Sequence, residues 1–499
     1  MRYFFILFSL LFSLEAQTLY KTLSSNPSRL NPLLSTDSAS SAISGYLFTG
    51  LVKYDVNATI VGDLAETFRF IDPTHVEFIL RKNAKWHDGK AFSAADVKFT
   101  YDLLKSKKIS TPFAHEFRKV EKVDVINDHK LIVTYKSPYY KALEIWMMGI
   151  VPKHLLENEK EMMTSTFNQN PIGTGAYKLK TFELSKSVEL IANADYYEHK
   201  PNIETIYFSI VPEAPTRFYM LRKHEIDLAG LTPLQIAKKV KKSFTDYYRI
   251  IEQPAKAYTY LGFNFGRKIF QDKRVRKAIT LGIDKNEIVD ILFFKHGQPC
   301  HGPFLPGTFA YNKAYEKNIY NPKEAKRLLK EAGYSKEKPL VFELLTNTGN
   351  PTRLAAAQIV LHQLSKIGVV VKLRLMEWQA FLNTRVFPKD FDAVVLGWGL
   401  SLVPDAYSMW HSDGIKSGGF NLNDYNNTSV DKLIVEAETI TNRDKLSKVY
   451  QKIFSTIVDD YPYVFLYIPN EITAINKKIK PVIKSIVGLE HNQIDWVKE

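Results

Sequence analysis

Cysteine is nearly absent from this chain of 499 residues, in which Cys300 is the single one. One cysteine cannot form a disulfide within the chain, so we expect the fold to depend on its apolar core. At about 100–200 residues per domain, this length predicts two or three lobes. Low-complexity tracts and flexible Gly/Ser linkers are also missing, which predicts ordered crossings between lobes that are discontinuous in sequence.

Long apolar runs are missing after the N-terminus. The first residues, MRYFFILFSLLFSLEAQ, contain one Arg, an apolar run from Tyr3 to Phe12 broken by a single Ser, and small or polar residues up to Ala16. This pattern predicts a secretory signal peptide over residues 1–16, cleaved after Ala16. The run is shorter than the ~20 residues of a membrane-spanning helix, so we expect an exported, soluble mature chain. No cysteine near the cleavage point can carry a lipid, which predicts a free periplasmic protein.

Acidic residues are fewer than basic ones, and the formal net charge is +14. A basic balance raises the possibility of a nucleic-acid partner, and the densest basic cluster is Lys238–Lys242. Export argues against this partner, because a periplasmic protein meets no nucleic acid and lysine runs are usually solvated faces. We therefore expect no nucleic-acid binding.

Complete catalytic motifs are missing as well. The chain has no G-x-S-x-G elbow. His-Glu pairs at 115–116 and 224–225 begin the zinc-protease pattern, but Lys119 and Leu228 occupy the positions of the second His. An exported hydrolase is thus the less supported alternative, and we expect no catalytic residues and no cofactor.

Helical and strand patterns alternate along the chain. HVEFILRK (75–82) and LIVTYK (131–136) read as strands, and FDAVVLGWG (391–399) reads as a buried strand. In NPKEAKRLLKEAGY (321–334), Asn321 is placed to cap a helix that ends at Gly333. The predicted class is α/β.

The stretch KWHDGKAFSAADVKFTYDLL (85–104) resembles half of an acid–base site but is better explained as architecture. Asp88-Gly89 is a tight-turn pair, and Ser93 with Asp96 has the spacing of a helix capping box. Side chains of neighbouring turn residues diverge, and no nucleophile accompanies His87 and Asp88. We expect the turn and cap not to need the imidazole.

The same stretch resembles the signature segment of the extracytoplasmic solute-binding proteins that serve peptide and nickel ABC importers, known as family 5. Further blocks that resemble the family follow in order along nearly the whole chain, at residues 30–55, 64–68, 170–183, 224–230, 263–289, 397–413 and 425–434. The resemblance implies two α/β lobes that close over a ligand, with a small extra subdomain on the first lobe. It implies crossings near 250–257 and 465–472, a first lobe of 17–50, 170–250 and 470–499, an extra subdomain of 51–169 and a second lobe of 255–467.

The resemblance also implies a function. Such a protein captures a solute by hinge closure and delivers it to the ABC permease subunits in the inner membrane. We expect a monomer that binds oligopeptides or peptide-like solutes, held mainly through extended backbone hydrogen bonds.

Two departures from the family pattern bear on the ligand. We call the block at 397–413, which begins with Gly397-Trp398, the late block. Peptide binders of the family place an Asp soon after this Gly-Trp pair, but here the first acid is Asp405, beyond Pro404. Dipeptide binders carry an Arg where this chain has Thr346-Asn347, with Arg353 further on. A strict dipeptide binder is therefore disfavoured. Asp405 either receives a ligand ammonium or caps the helix that starts near Ala406.

The resemblance implies a cleft bordered by the late block and by AYTYLGFNFG at the start of the second lobe. Trp398 is a candidate stacking wall, although it also fits as core filler at a strand end. On the strand, Tyr258, Tyr260 and Asn264 share one face, leaving Leu261 and Phe263 for the core. The candidate ligand-binding residues are Trp398, Ser401, Asp405, Tyr258, Tyr260 and Asn264.

The nickel branch of the family provides the alternative function. Its members bind nickel as a chelate with few protein ligands, often one His. His411 and His491 lie in blocks that border the cleft in relatives, so they are the candidate metal ligands in this alternative alone.

Overall fold

The computed structural model describes residues 17–416 and 419–499. The predicted signal peptide, residues 1–16, lies outside the described residues. Among the helices of the described part, none has the length and apolar character needed to cross a membrane.

The strands are β1 (Thr18–Leu23), β2 (Val52–Tyr54), β3 (Ile60–Gly62), β4 (Ala65–Asp72), β5 (His75–Leu80), β6 (Val120–Asn127), β7 (Lys130–Tyr135), β8 (Tyr177–Glu183), β9 (Ser187–Ala192), β10 (Thr205–Ile210), β11 (Leu228–Gly230), β12 (Tyr248–Pro254), β13 (Ala257–Phe263), β14 (Gly297–Pro299), β15 (Leu340–Asn347), β16 (Val369–Met376), β17 (Ala393–Gly399), β18 (Tyr463–Asn476), β19 (Ile479–Lys480) and β20 (Val497–Lys498).

The α-helices are α1 (Ser38–Leu47), α2 (Ala94–Lys105), α3 (Lys153–Leu156), α4 (Ala214–Arg222), α5 (Pro233–Lys239), α6 (Lys242–Thr245), α7 (Lys268–Gln271), α8 (Lys273–Leu281), α9 (Lys285–Phe293), α10 (Pro322–Glu331), α11 (Pro351–Ser365), α12 (Trp378–Phe381), α13 (Tyr407–Trp410), α14 (Thr428–Glu438) and α15 (Arg443–Asp460). A 3-10 helix, Pro112–Lys119, also matters for the site.

One long mixed sheet organises the molecule. Its strand order is β16-β15-β17-β13-β18-β11-β1-β10-β9-β8, with β12 and β14 also paired to β18. The predicted α/β class is correct, and helices cover much of the sheet. The predicted helix at 321–334 is α10, where the Asn321 side chain accepts from the Glu324 N–H and Gly333 has φ +89°.

The long strand β18 joins the two halves of this sheet. Its first part, Tyr463–Tyr467, pairs with β13, and its second part, Asn470–Asn476, pairs antiparallel with β12. Because β12 leads directly into β13, the chain passes between the halves here on two adjacent strands. The segments 250–257 and 465–472, where the resemblance places the crossings, run along β12–β13 and along β18. We call the chain outside the crossings the first lobe and the chain between them the second lobe.

Apolar packing holds each lobe. One cluster of buried side chains joins β1, α1, the four-stranded sheet β4-β5-β7-β6 and Trp146. The second lobe has two clusters on opposite faces of its half-sheet, one including Tyr258 and Tyr260 and the other Leu261 and Phe263. Cys300 is buried and free, so the apolar core stabilises this fold in place of the disulfides found in many exported proteins.

The stretch 85–104 forms the predicted turn and capped helix. Gly89 has φ +88°, its N–H donates to the Trp86 carbonyl, and α2 begins directly after Ser93. The Asp96 carboxylate accepts from the Ser93 N–H at 3.0 Å, which is the reciprocal bond of a capping box.

The expectation that the turn and cap do not need the His87 imidazole stays a prediction, but the ring makes contacts beyond the turn and cap. His87 Nδ1 accepts from the Gly173 N–H at 3.2 Å, and Nε2 lies 3.0 Å from the Gly175 carbonyl. Burial lowers the pKa of His87 to about 4, so the ring is neutral and serves as a bridge between two backbone segments. Its role is structural, as the sequence indicates, but it belongs to the packing of the turn against residues 173–175.

Two glycines provide a matched test of the turn. Gly89 and Gly45 both have open space where a Cβ would be, but Gly89 has positive φ and Gly45 lies within α1. We expect Gly89→Ala to lower the free energy of unfolding by about 1–2 kcal/mol, the cost of the left-handed region for a residue with a Cβ. Gly45→Ala should raise it by up to about 1 kcal/mol through helix propensity. Urea unfolding of both variants measures this, and equal effects would contradict the assigned backbone conformation.

Candidate functional site

A cleft of about 920 Å³ opens between the two lobes. The first lobe contributes the loop after β1, the start of α1 and the helix Pro112–Lys119. The second lobe contributes the loop after β14, the α12 region, the end of β17 and the start of α13. A cleft of this volume with walls on both lobes fits a ligand larger than an amino acid.

Aromatic and aliphatic side chains form much of the wall. The Trp398 ring lies parallel to that of Tyr260, with 6.2 Å between centroids, and edge-on to Phe420 at 5.5 Å. Trp398 is partly exposed into the cleft, so the stacking-wall interpretation fits its position. The apolar lining on the second lobe includes Phe304, Leu305, Trp378, Leu382, Trp398 and Phe420.

The structure brings three of the candidate ligand-binding residues to the cleft, namely Trp398, Ser401 and Asp405. The exposed Ser401 side chain donates to the Val403 carbonyl at 2.6 Å and thereby shapes the loop after β17. Ligand contact by these residues stays a prediction.

Asp405 has two internal partners. One carboxylate oxygen accepts from the Tyr407 N–H at 2.8 Å, at the start of α13. The other lies 3.0 Å from Lys141 Nζ, and the same ammonium also binds the Glu116 carboxylate. Asp405 thus lies one residue before the N-cap of α13, Ala406, and accepts the first helical N–H, and the ion pair with Lys141 comes in addition.

The charges of this cluster follow from its burial. For Lys141, burial disfavours the ammonium but the two carboxylates outweigh it, so its pKa lies well above the usual range. Burial acts to raise the pKa of Asp405 as well, yet Lys141 and the Tyr407 N–H hold it below its usual range. Burial raises the pKa of Glu116, the more weakly stabilised carboxyl. At neutral pH Lys141 is charged and Asp405 is ionised.

The remaining charged groups of the lining are Asp37 and Arg29. Asp37 caps α1 by accepting from the Ser40 N–H at 2.8 Å, and it also binds two serine hydroxyls. Arg29 forms hydrogen bonds through its backbone alone within the described residues, so its guanidinium has no protein partner there. Arg29 is the cleft cation that a ligand anion can reach, and sequence reasoning missed it because a lone Arg in a loop carries no motif.

The other three candidates do not line the cleft. Tyr258 and Tyr260 are 1% and 0% exposed, and both belong to an apolar cluster of the second lobe. The alternation predicted for this strand is correct, but helices and loops cover both of its faces, so neither face is left for a ligand. Asn264 is 3% exposed and donates to the carbonyls of Lys389 and Phe391. Its amide organises a loop.

Neither candidate metal ligand lines the cleft. His411 stacks on Tyr407 at 4.2 Å between centroids, and its Nδ1 accepts from the Asp413 N–H. His491 bonds the Gly488 carbonyl in the C-terminal segment of the first lobe. Among the described residues, no group of three or more His, Cys, Asp or Glu side chains could hold a metal ion.

Arg353 lies behind the cleft wall. Its Nη1 donates to the Asn347 side chain at 2.6 Å, and a carboxylate partner is missing within residues 17–416 and 419–499. The guanidinium lies over Trp378, and a Cβ on Gly397 would come within 3.4 Å of it. The positive charge therefore lies beside two lining residues.

The two core residues lead to a stability prediction. The Tyr258 hydroxyl is buried without a hydrogen-bond partner among the described residues, so Tyr258→Phe should leave the free energy of unfolding unchanged or raise it by up to about 1 kcal/mol. Asn264→Ala removes bonds to three backbone groups and should lower it by about 1–3 kcal/mol. Urea unfolding measures both, and a strongly destabilised Tyr258→Phe variant would contradict the assigned core position.

Comparisons with known proteins agree with this architecture. The family described as bacterial extracellular solute-binding proteins, family 5 Middle, matches residues 59–420. The oligopeptide-binding protein AppA of Bacillus subtilis is 33% identical over 91% of this chain and 86% of its own length. The dipeptide-binding protein of Escherichia coli is 27% identical over 96% of this chain and 94% of its own.

Solved structures match over nearly the full length. AppA from Bacillus subtilis, in complex with a nonapeptide, has a TM-score of 0.89 at 31% identity and covers 97% of this chain and 99% of its own. NikZ from Campylobacter jejuni, in complex with Ni(L-His), has a TM-score of 0.87 at 28% identity and covers 97% and 100%.

Proposed function

The chain belongs to the bacterial extracellular solute-binding proteins of family 5, and from this premise we propose that it captures oligopeptides or peptide-like solutes for an ABC importer. Members of the family are ligand-binding components of transport systems and act outside the cytoplasm. The protein would deliver its ligand to the permease subunits in the inner membrane. The observation that carries the proposal is the cleft of about 920 Å³ with walls on both lobes.

Hinge closure is the mechanism that this geometry supports. The lobes are connected by two adjacent crossings, one along β12–β13 and one along β18, which can bend with little loss of lobe packing. A ligand that contacts both walls stabilises the closed form by its differential affinity for that form. The permease then recognises the closed arrangement.

A peptide fits the lining better than a small charged solute. The walls combine apolar side chains with exposed backbone at the end of β17, where an extended ligand can form hydrogen bonds of about 0.5–1.5 kcal/mol each. Arg29 supplies a free positive charge for the ligand carboxylate. The aromatic wall at Trp398 and Trp378 accepts varied side chains.

Binding of a nickel chelate is the alternative function. NikZ, with its Ni(L-His) complex, is 28% identical to this chain, so a chelate is a reasonable second candidate. The absence of a three-ligand group among the described residues agrees with a metal that arrives already chelated. In this alternative His411 or His491 would complete the coordination after a rearrangement, since neither lines the cleft.

We also propose where the protein is located and how it is assembled. The protein would be a periplasmic monomer, released by cleavage after Ala16 and without a lipid anchor. It would return its ligand chemically unchanged, since it is proposed to be a carrier and not an enzyme, and it would bind no nucleic acid.

Identification of the ligand that copurifies from the periplasm tests the proposed function. Native mass spectrometry should find a mixture of peptides bound in a one-to-one complex. Denaturation should release these peptides, and their masses should match the ligand masses found in the native complex. Stoichiometric nickel that is lost in His411→Ala or His491→Ala would establish the alternative instead.

Arg29 provides a second test. If its guanidinium receives the ligand carboxylate, Arg29→Gln should lower affinity for a tetrapeptide-to-nonapeptide pool by about tenfold or more, since a hydrogen bond to a charged group contributes about 1.5–3 kcal/mol. The same pool with C-terminal amides should bind both proteins alike. Arg222→Gln, at an exposed position outside the cleft, is the control for net charge. An equal loss for both variants would contradict a direct contact.

A further inference from the structure

One buried ammonium group bridges the two lobes at the cleft. Lys141 comes from the first lobe, in the segment after β7, and its side chain is 9% exposed. It binds Glu116 of the same lobe and Asp405 of the second lobe, and both carboxylates line the cleft. Lys141 itself lies behind them.

The surrounding contacts fix this position. The neighbouring Tyr140 hydroxyl donates to the Pro404 carbonyl at 2.9 Å and lies 2.7 Å from the Tyr450 hydroxyl. The Tyr140 N–H donates to the Glu438 carbonyl. Segment 139–141 of the first lobe is thus docked against the second lobe, and this docking inserts the ammonium between the two carboxylates.

The arrangement determines which ligand charges the cleft can receive. Within the described ranges, the carboxylates that line the cleft are Asp37, Glu116 and Asp405. Asp37 caps α1, and the other two share Lys141. A ligand ammonium that enters the cleft therefore finds its natural acceptors already paired, whereas a ligand carboxylate finds Arg29 free within the described residues.

We propose that Lys141 is a specificity-determining residue that acts as an internal counter-ion: it occupies the cleft carboxylates, so the protein accepts peptides whether or not their N-terminal amine is charged. This inference rests on the proposed function as a peptide binder. The physical reason is that closing the cleft removes Glu116 and Asp405 from water, which is costly unless a cation accompanies them. In this chain the cation is built into the first lobe, so closure does not require an ammonium group from the ligand.

A competition experiment measures this selectivity directly. The full-length mature protein is incubated with an equimolar mixture of a tetrapeptide-to-nonapeptide pool and the same pool acetylated at the N-terminus. Quantitative mass spectrometry of the retained peptides gives the ratio of free to acetylated forms. We expect a ratio within about twofold of one for the unaltered protein.

Removal of the counter-ion should create a preference. Lys141→Met alone leaves two buried carboxylates without a cation and is at risk of not folding. The double variant Glu116→Gln, Lys141→Met keeps the net charge and leaves Asp405 as the free acceptor. We expect it to retain free peptides at least tenfold over acetylated ones, and addition of Asp405→Asn should return the ratio to near one.

Lys119 is the matched control. It forms another ion pair across the lobes, with Glu438 at 3.0 Å, but it does not line the cleft. Lys119→Met also weakens contact between the lobes, but it leaves the cleft carboxylates paired. We therefore expect it to leave the ratio of free to acetylated peptides unchanged.

The outcomes distinguish the role of Lys141 from peptide binding itself. A tenfold preference for free amines in the unaltered protein, or an unchanged ratio in the double variant, would overturn the role of Lys141 while peptide binding stands. Failure of every folded variant to retain either pool would contradict peptide binding itself, and the role of Lys141 with it.

Discussion

The antiparallel pairing of β18 with β12 and β13 is the constraint on which the rest of the molecule depends. Within the described residues, the chain leaves the first lobe along β12–β13 and returns to it along β18. Each lobe packs its own apolar clusters on its side of this seam. The lobes therefore keep their internal structure when the angle between them changes, and the cleft is the space that this change opens or closes.

Contacts across the cleft set the energy of closure. They include the Lys141 cluster and the pairing of Arg118 and Lys119 with the 4% exposed Glu438. Arg118 also lies over the Tyr407 ring at 3.4 Å from its centroid. Buried ion pairs add little net stability because desolvation offsets their attraction, but they are sensitive to geometry. Such contacts favour one closed arrangement over others and leave the ligand to supply the net stabilisation.

Local features of the fold could be read from the sequence, and long-range ones could not. The cap at Asn321, the positive φ of Gly89 and the helix after Ser93 depend on residues within a few positions, so residue type and spacing predict them. Trp398 lies at the end of the buried strand β17 and Asp405 in the loop after it, and the end of that strand borders the cleft. The alternation of Tyr258 and Tyr260 was equally readable, but coverage of both strand faces depends on segments far away in the chain. Lys141 meets Asp405 across 264 positions, and no local pattern signals such a pair.

We propose that the two lobes close on a ligand held between them. Small-angle X-ray scattering of the mature protein, stripped by unfolding and refolding and then saturated with its copurified ligand, tests this most directly. We expect the radius of gyration to fall on saturation. Identical radii with and without saturating ligand would contradict hinge closure and, with it, this explanation of the cleft.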